Sequence, residues 1–376
     1  MLYAKGDIHI MKIICSKSDL ITGIGIALRA VPSKTTMPIL GSLLITAEEI
    51  ITITSNDNDM GITTIVNGMI PEKGRIAVEA RLFSDIIRKL PESDITIEAD
   101  SNHKVTISCE KSVFHVNGND ANEFPDLPDA ESIGHFTISE FTLKEMIRQT
   151  IFSIAVNDAA SIMKGELFYV SDNLLKAVSL DSHRISIRNE VLNNSYPKAS
   201  VIVPGKTLNE ISRILSGNVE DMVDVSFDKK FIKFYFKGTI VISRLIEGEF
   251  FDVDRMISSD YSTELRVNKH ELLNNIDQAA SMVREGDRKP VVFEIRDEYV
   301  NIDVTTSLGS MSSRIDAVKK GNDIVIGFNP KFFMDALRVI DDEEVAMYFV
   351  NANAPCFIRN DAGEYVFIIL PVNINR

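Results

Sequence analysis

The sequence predicts an α+β protein made of three tandem repeats, each with two helices packed on β-sheet. The first observation is a stretch written three times without gaps at a spacing of 125 residues. Glu79 to Leu90 reads EARLFSDIIRKL, Pro204 to Leu215 reads PGKTLNEISRIL, and Asn329 to Ile340 reads NPKFFMDALRVI. Second, the flanking segments follow the order helix, strands, helix, strands around each copy. Third, 376 residues are too many for one core but suit three domains of roughly 120 residues.

Within each copy a basic residue (Arg81, Lys206, Lys331) is followed two positions on by Phe83, Leu208 or Phe333. An acid comes next (Asp85, Glu210, Asp335), then Ile86, Ile211 or Ala336, then Arg88, Arg213 or Arg338, closing on Leu90, Leu215 or Ile340. At about 100° per residue the apolar positions share one face, and the two basic residues fall within about 20° of each other on the opposite one. Each copy is an amphipathic helix carrying a basic stripe away from its core.

In order along the chain, Met1 to Ile10 precedes a second methionine and lacks the basic start and apolar block of a signal peptide. It is expected to lie outside the fold, giving divisions at 1–10, 11–130, 131–257 and 258–376. Repeat one opens with a strand at Met11 to Cys15 and a helix from about Ser18 to Val31, ended by Pro32. Leu43 to Thr54 and Gly61 to Val66 predict paired strands joined by the turn Ser55 to Asp59. After the repeated helix come strands at Asp94 to Glu98, Lys104 to Cys109 and Ser112 to Val116, then a proline-rich linker from Phe124.

Repeat two predicts a strand at Phe136 to Ile138 and a helix over Glu140 to Val156. Strands follow at Gly165 to Val170, Leu174 to Leu180 and Ser186 to Val191, and after the shared helix at Val223 to Phe227, Phe231 to Phe236 and Thr239 to Arg244. Glu247 to Ile257 is the second linker. Repeat three runs from Thr263, with a helix near His270 to Val283 and a last strand at Tyr365 to Leu370.

The net charge of −14 taken as a total argues against a nucleic-acid partner, but says nothing of where the 40 basic residues sit. Cys15, Cys109 and Cys356 are scattered and odd in number, so they read as reduced thiols of a cytoplasmic protein without metal-ligand spacing. No apolar run approaches the ~18 residues of a membrane span.

Three motifs invite chemistry. Gly205-Lys206-Thr207 suggests a phosphate loop, but Ser200 stands where the first glycine belongs and a strand-like Val201 to Pro204 fills the loop. The acidic turn Asp57 to Gly61 does not place its glycine at the sixth position of a calcium loop and has no closing glutamate. Asp181-Ser182-His183-Arg184 holds the letters of a catalytic triad, yet consecutive residues of an extended segment diverge. It reads as a polar turn or a binding surface, and least well as a catalytic site. The basic stripes are also open to a plain reading, because each acid sits four after one basic residue and three before the other, where intrahelical ion pairs form.

Several motifs in order make the chain resemble the bacterial DNA polymerase III beta subunit, the sliding-clamp family, over Met11 to Ile374. They are Met37-Pro38-Ile39-Leu40-Gly41, Glu123-Phe124-Pro125-Asp126-Leu127, Leu180-Asp181-Ser182-His183-Arg184-Ile185, Ser200-Val201-Ile202-Val203-Pro204, Ile326-Gly327-Phe328-Asn329 and the ending Leu370-Pro371-Val372. The resemblance implies three DNA-clamp domains per chain and a head-to-tail homodimer closed into a six-domain ring around duplex DNA. A ring holds by topology, so an acidic protein with a modest basic lining suffices. Lys34, Arg81, Arg88, Lys206, Arg213, Lys331 and Arg338 are the implied DNA-facing residues, whereas Ser161 and Ile162 stand where the family has a DNA-contacting loop that is not basic or aromatic here.

The same resemblance implies a pocket for short peptide motifs of the polymerase III alpha subunit, the clamp loader, other polymerases and repair proteins. Its members are Met163, Leu180, Ser182, His183, Arg184, Ile185, Phe251, Arg255, Ile368, Leu370, Pro371 and Val372. Phe251 replaces a common proline and Asn373 a common arginine. Met282 and Val283 would meet the strand around Phe114 and Val116 of a second copy. The implied function is that of a non-enzymatic processivity clamp with no cofactor and no membrane partner. The rivals are a clamp-fold scaffold serving mainly repair, and an α+β enzyme using the His183 region.

Overall fold

The structure is a computed structural model and describes residues 9–128, 133–156, 160–257, 260–283 and 289–374. The expected boundaries at 130–131 and 257–258 fall on or beside 129–132 and 258–259, which lie outside the described residues. So does most of the expected N-terminal extension. Its last two residues depart from expectation: the first strand begins at His9, pairing there with Asp100, and Ile10 packs on the core of repeat one.

Six α-helices occur among the described residues: α1 Lys17–Ala27, α2 Ala80–Lys89, α3 Glu140–Thr150, α4 Gly205–Ile214, α5 Lys269–Ala280 and α6 Pro330–Val339. The repeated helices are α2, α4 and α6. Phe83, Leu208 and Phe333 are fully buried, and Leu90, Leu215 and Ile340 nearly so. Local chemistry sets the helix starts. Ser16 accepts from the Asp19 N–H before α1, Asn268 from the Glu271 N–H before α5, and Asn329 from the Lys331 N–H before α6, where Pro330 supplies the first residue. The expected helices to Val31, Val156 and Val283 stop short, the first two running on into 3-10 turns at Leu28–Ala30 and Ile151–Ser153.

The chain divides into two compact units, one of Met1–Glu140 with Arg213–Leu245, the other of Phe141–Ser212 with Ile246–Arg376. The first is built on a thirteen-stranded sheet among the described residues. Its expected strand over 43–54 is two strands, Ser42–Ala47 and Ile51–Asn56, because Glu48-Glu49-Ile50 turns between them and Ile45 pairs with Ile53. Strands Met69–Glu72 and Gly74–Glu79 were not legible as alternating patterns. The acidic turn is a hairpin turn, with Asp57 Oδ1 accepting from the Asp59 and Met60 N–H groups. Gly61 follows it because Leu127 occupies the space a Cβ would take, 2.2 Å away.

The second unit is built on a ten-stranded sheet among the described residues. Three expected strands between 165 and 191 merge into one long hairpin, Gly165–Leu180 against Arg184–Pro204. The first strand keeps its direction through Asp172, which takes a positive φ of 53°, a conformation aspartate tolerates where bulkier residues do not. The middle repeat thus feeds strands to both sheets: Gly134–Ser139 and the three strands between 222 and 244 join the first, and the long hairpin joins the second. The second sheet carries the core of repeat three, centred on Phe293, Phe328 and Phe333, and a satellite cluster at the hairpin end around Leu180, Ile185, Tyr348, Phe357 and Ile368.

Candidate peptide-binding cleft and basic helix faces

The long hairpin turns at residues 181–183, and its returning strand pairs with the last strand of the sheet, Ile185 opposite Ile368 and Arg184 opposite Ile369. The main-chain N–H of Leu370 then donates to the His183 carbonyl at 2.9 Å. This register sets Leu180 and Ile185 beside Ile368 and Leu370. Met163 adds a third side from the 3-10 turn Ser161–Lys164. Phe251, Met256 and Pro355 complete a cleft of about 320 Å³ together with Asp181 and Arg184. Its walls are mostly apolar, and Leu370, Phe251 and Met256 remain 40, 38 and 48% exposed at its mouth. Such a groove suits the apolar side chains of an extended peptide.

Among the described residues, Arg184 is the one basic group of the cleft lining, and it is 8% exposed. Its Nε donates to Asp181 Oδ2 at 3.1 Å, its Nη1 to Asp335 Oδ2 at 2.6 Å, and its Nη2 to the Phe152 carbonyl at 2.5 Å. The guanidinium also lies over the rings of Phe152 and Phe332, 5.3 and 4.8 Å from their centroids. Charge and hydrogen bonding are met within the protein, as a buried cation requires.

Seven of the twelve expected pocket residues line this cleft: Met163, Leu180, Arg184, Ile185, Phe251, Ile368 and Leu370. The other five sit elsewhere. The His183 ring lies against Phe332, with centroids 5.5 Å apart. Ser182 is exposed in the turn, and Arg255 is 86% exposed and paired with Asp252 at 2.7 Å. Val372 donates its main-chain N–H to the Gly327 carbonyl at 2.8 Å, and neither it nor Pro371 is among the residues that line the cleft. Asp181, Met256 and Pro355 were not expected, though Asp181 lay inside a motif already singled out. Its Oδ1 accepts from the His183 and Arg184 N–H groups, so the triad letters form a capped turn and not a catalytic constellation. Among the described residues no group of three or more His, Cys, Asp or Glu could hold a metal ion.

All six stripe residues, Arg81, Arg88, Lys206, Arg213, Lys331 and Arg338, are exposed, as is Lys34 in the loop after α1. In α2, among the described residues, no ion pair joins Asp85 to Arg81 or Arg88. In α6, Asp335 turns to Arg184, and Arg338 reaches Asp277 at 3.7 Å. The intrahelical ion-pair reading therefore fails in the first and third copies. Gly205-Lys206-Thr207 forms the first turn of α4 directly after a strand, which leaves no phosphate loop.

Phe114 and Val116 lie on strand Ser112–Asn119. One side of it pairs with Lys104–Cys109, but among the described residues the other pairs only at Gly118 and Asn119, so the edge from Ser112 to Asn117 is open there. Val113 and Phe114 are 54 and 38% exposed there. Met282 and Val283, past the end of α5, are half-buried against the core of repeat three.

A threefold helix-on-sheet repeat that turns a basic helix face outward, in an acidic chain with an apolar peptide-sized cleft, has the makings of a DNA sliding clamp. Family comparison agrees over nearly the whole chain: residues 11–128, 137–252 and 254–373 match the N-terminal, central and C-terminal domains of the DNA polymerase III beta subunit. The chain is 32% identical to the beta sliding clamp of Bacillus subtilis over 96% of its own length and 99% of that protein's. A crystal structure described as a DNA polymerase III beta subunit of Eubacterium rectale superposes with a TM-score of 0.94 at 51% identity, covering 97% of this chain and 100% of that one. The Bacillus subtilis clamp structure gives 0.93 at 32%, covering 96 and 99%. The chain belongs to the DNA polymerase III beta subunit family. It is a sliding clamp, a non-catalytic processivity factor of DNA replication, and neither the repair scaffold nor the enzyme is favoured.

Proposed function

We propose that two copies of the chain join head to tail around duplex DNA, with Arg81, Arg88, Lys206, Arg213, Lys331, Arg338 and Lys34 facing the phosphates. The observation that supports this most directly is the recurrence of exposed basic pairs, seven residues apart, on α2, α4 and α6 of a chain whose net charge is −14. Contacts of this kind neutralise phosphate without reading bases, so the complex can slide. The open edge at Ser112 to Asn117 is where a second copy would add its strand, with Met282 and Val283 on the opposing side.

The Met163–Leu180–Leu370 cleft would receive motifs of the polymerase III alpha subunit, the clamp loader and repair proteins, tethering them to DNA in the cytoplasm. Sedimentation equilibrium tests the assembly: twice the chain mass is expected, and a monomer at micromolar concentration would contradict the ring. Titration with labelled peptides, against wild type and Leu370→Asp, tests the cleft separately. Among the described residues no helix is long and apolar enough to cross a membrane.

A further inference from the structure

We propose that Asp335, outside the cleft, is a positioning residue that sets which side chains the cleft accepts. By holding and compensating Arg184 it presents a flat, charge-balanced wall that favours an apolar anchor over a carboxylate. This rests on reading the cleft as a peptide site.

Asp335 holds the acidic position between two basic residues that Asp85 and Glu210 hold in the other repeated helices, but it serves a different end. Its Oδ2 takes Arg184 Nη1 at 2.6 Å, a closer contact than the 3.1 Å between Arg184 Nε and Asp181. Asp181 is already committed, since its other oxygen accepts two N–H groups of the turn. Phe332, three residues before Asp335 on α6, covers one side of the guanidinium, and Phe152 lies against it too. One helix thus supplies both a counter-charge and an aromatic plate to a cation that is itself 8% exposed.

Without the Asp335 charge, Arg184, which lines the cleft, is left with Asp181 as its carboxylate partner. A poorly compensated, nearly buried cation seeks an acceptor. The acceptor a peptide can bring is a carboxylate. Removing one negative charge behind the wall therefore changes what is selected in front of it, with Met163, Leu180, Ile368 and Leu370 untouched.

The test uses the full chain and two fluorescein-labelled octapeptides, one with three central leucines and a twin with glutamate at the middle position. Wild type is expected to prefer the leucine peptide. Asp335→Asn, which keeps the shape, is expected to shrink that preference roughly tenfold, with its glutamate-peptide binding weakened by added salt. Asp335→Glu should restore the wild-type ratio. An unchanged ratio, or equal losses for both peptides, overturns the proposal, because a purely structural role lowers both alike. If Asp335→Asn does not fold, Arg184→Met reads the same question: without the cation the leucine preference persists, and its loss overturns the proposal. If wild type binds neither peptide, the cleft reading itself has failed and this inference falls with it.

Discussion

Leu370 donates its main-chain N–H to the carbonyl of His183 at 2.9 Å, so the last strand ends against the turn of the long hairpin. The His183 carbonyl anchors Leu370 from outside the cleft lining, while its ring packs on Phe332. The side chain of Leu370, freed to point outward, is 40% exposed at the mouth. Leu370→Asp is predicted to weaken peptide binding by roughly 10- to 100-fold, the worth of one buried leucine. Melting temperature should barely change. His183→Ala should cost binding much less, and anisotropy titrations on the same peptide decide between the two.

The exposed basic pairs carry a salt signature. Replacing Arg81 and Arg88 with alanine removes two candidate phosphate contacts from an exposed helix face. Both copies of the proposed dimer lose the pair, so the slope of log affinity against log salt should become shallower by about 4. Lys331 and Arg338 should give a similar change. A slope that does not move would place these residues away from DNA.

Phe114 is the cleaner probe of the subunit interface. It is 38% exposed on an open strand edge, whereas Met282 and Val283 are half-buried against a core, where charge would also destabilise the fold. Phe114→Glu is predicted to give folded monomers by sedimentation with an unchanged far-ultraviolet dichroism spectrum. A persistent dimer would place the interface elsewhere.

Glu166 is fully buried, with Thr150 Oγ1 donating to its Oε1 at 2.8 Å, and burial pushes its carboxyl from 4.5 up to about 8. The folded protein therefore holds this proton over a range where the unfolded chain has lost it. Stability from this group is full at low pH and declines as pH rises from about 4.5 to about 8. Glu166→Gln removes the decline. Its stability relative to wild type should rise between pH 5 and pH 8, by at most about 1.4 kcal/mol per pH unit. Parallel urea-midpoint curves for the two proteins would contradict this.

Much of the fold was legible because its pattern is local. Strands 223–227, 231–236 and 239–244 alternate cleanly, and the structure places them at Met222–Phe227, Phe231–Phe236 and Thr239–Arg244. The repeated helices declared themselves through Phe83, Leu208 and Phe333. What escaped depends on distant partners. Asp335 has ion-pair spacing to Lys331 and Arg338, yet it pairs with Arg184, 151 residues away, a contact no spacing rule anticipates. Pro355 and Met256 join the cleft only because the sheet folds them there. Val372, expected there by motif, bonds through its backbone to Gly327 and is not among the lining residues.

A ring closed around duplex DNA would hold it by topology. The most direct test loads the chain onto circular DNA with a clamp loader and ATP, washes at high salt, and then linearises the circle. Retention on the intact circle and loss once it is cut is the predicted result. Equal, salt-sensitive binding to circles and linear DNA would contradict it.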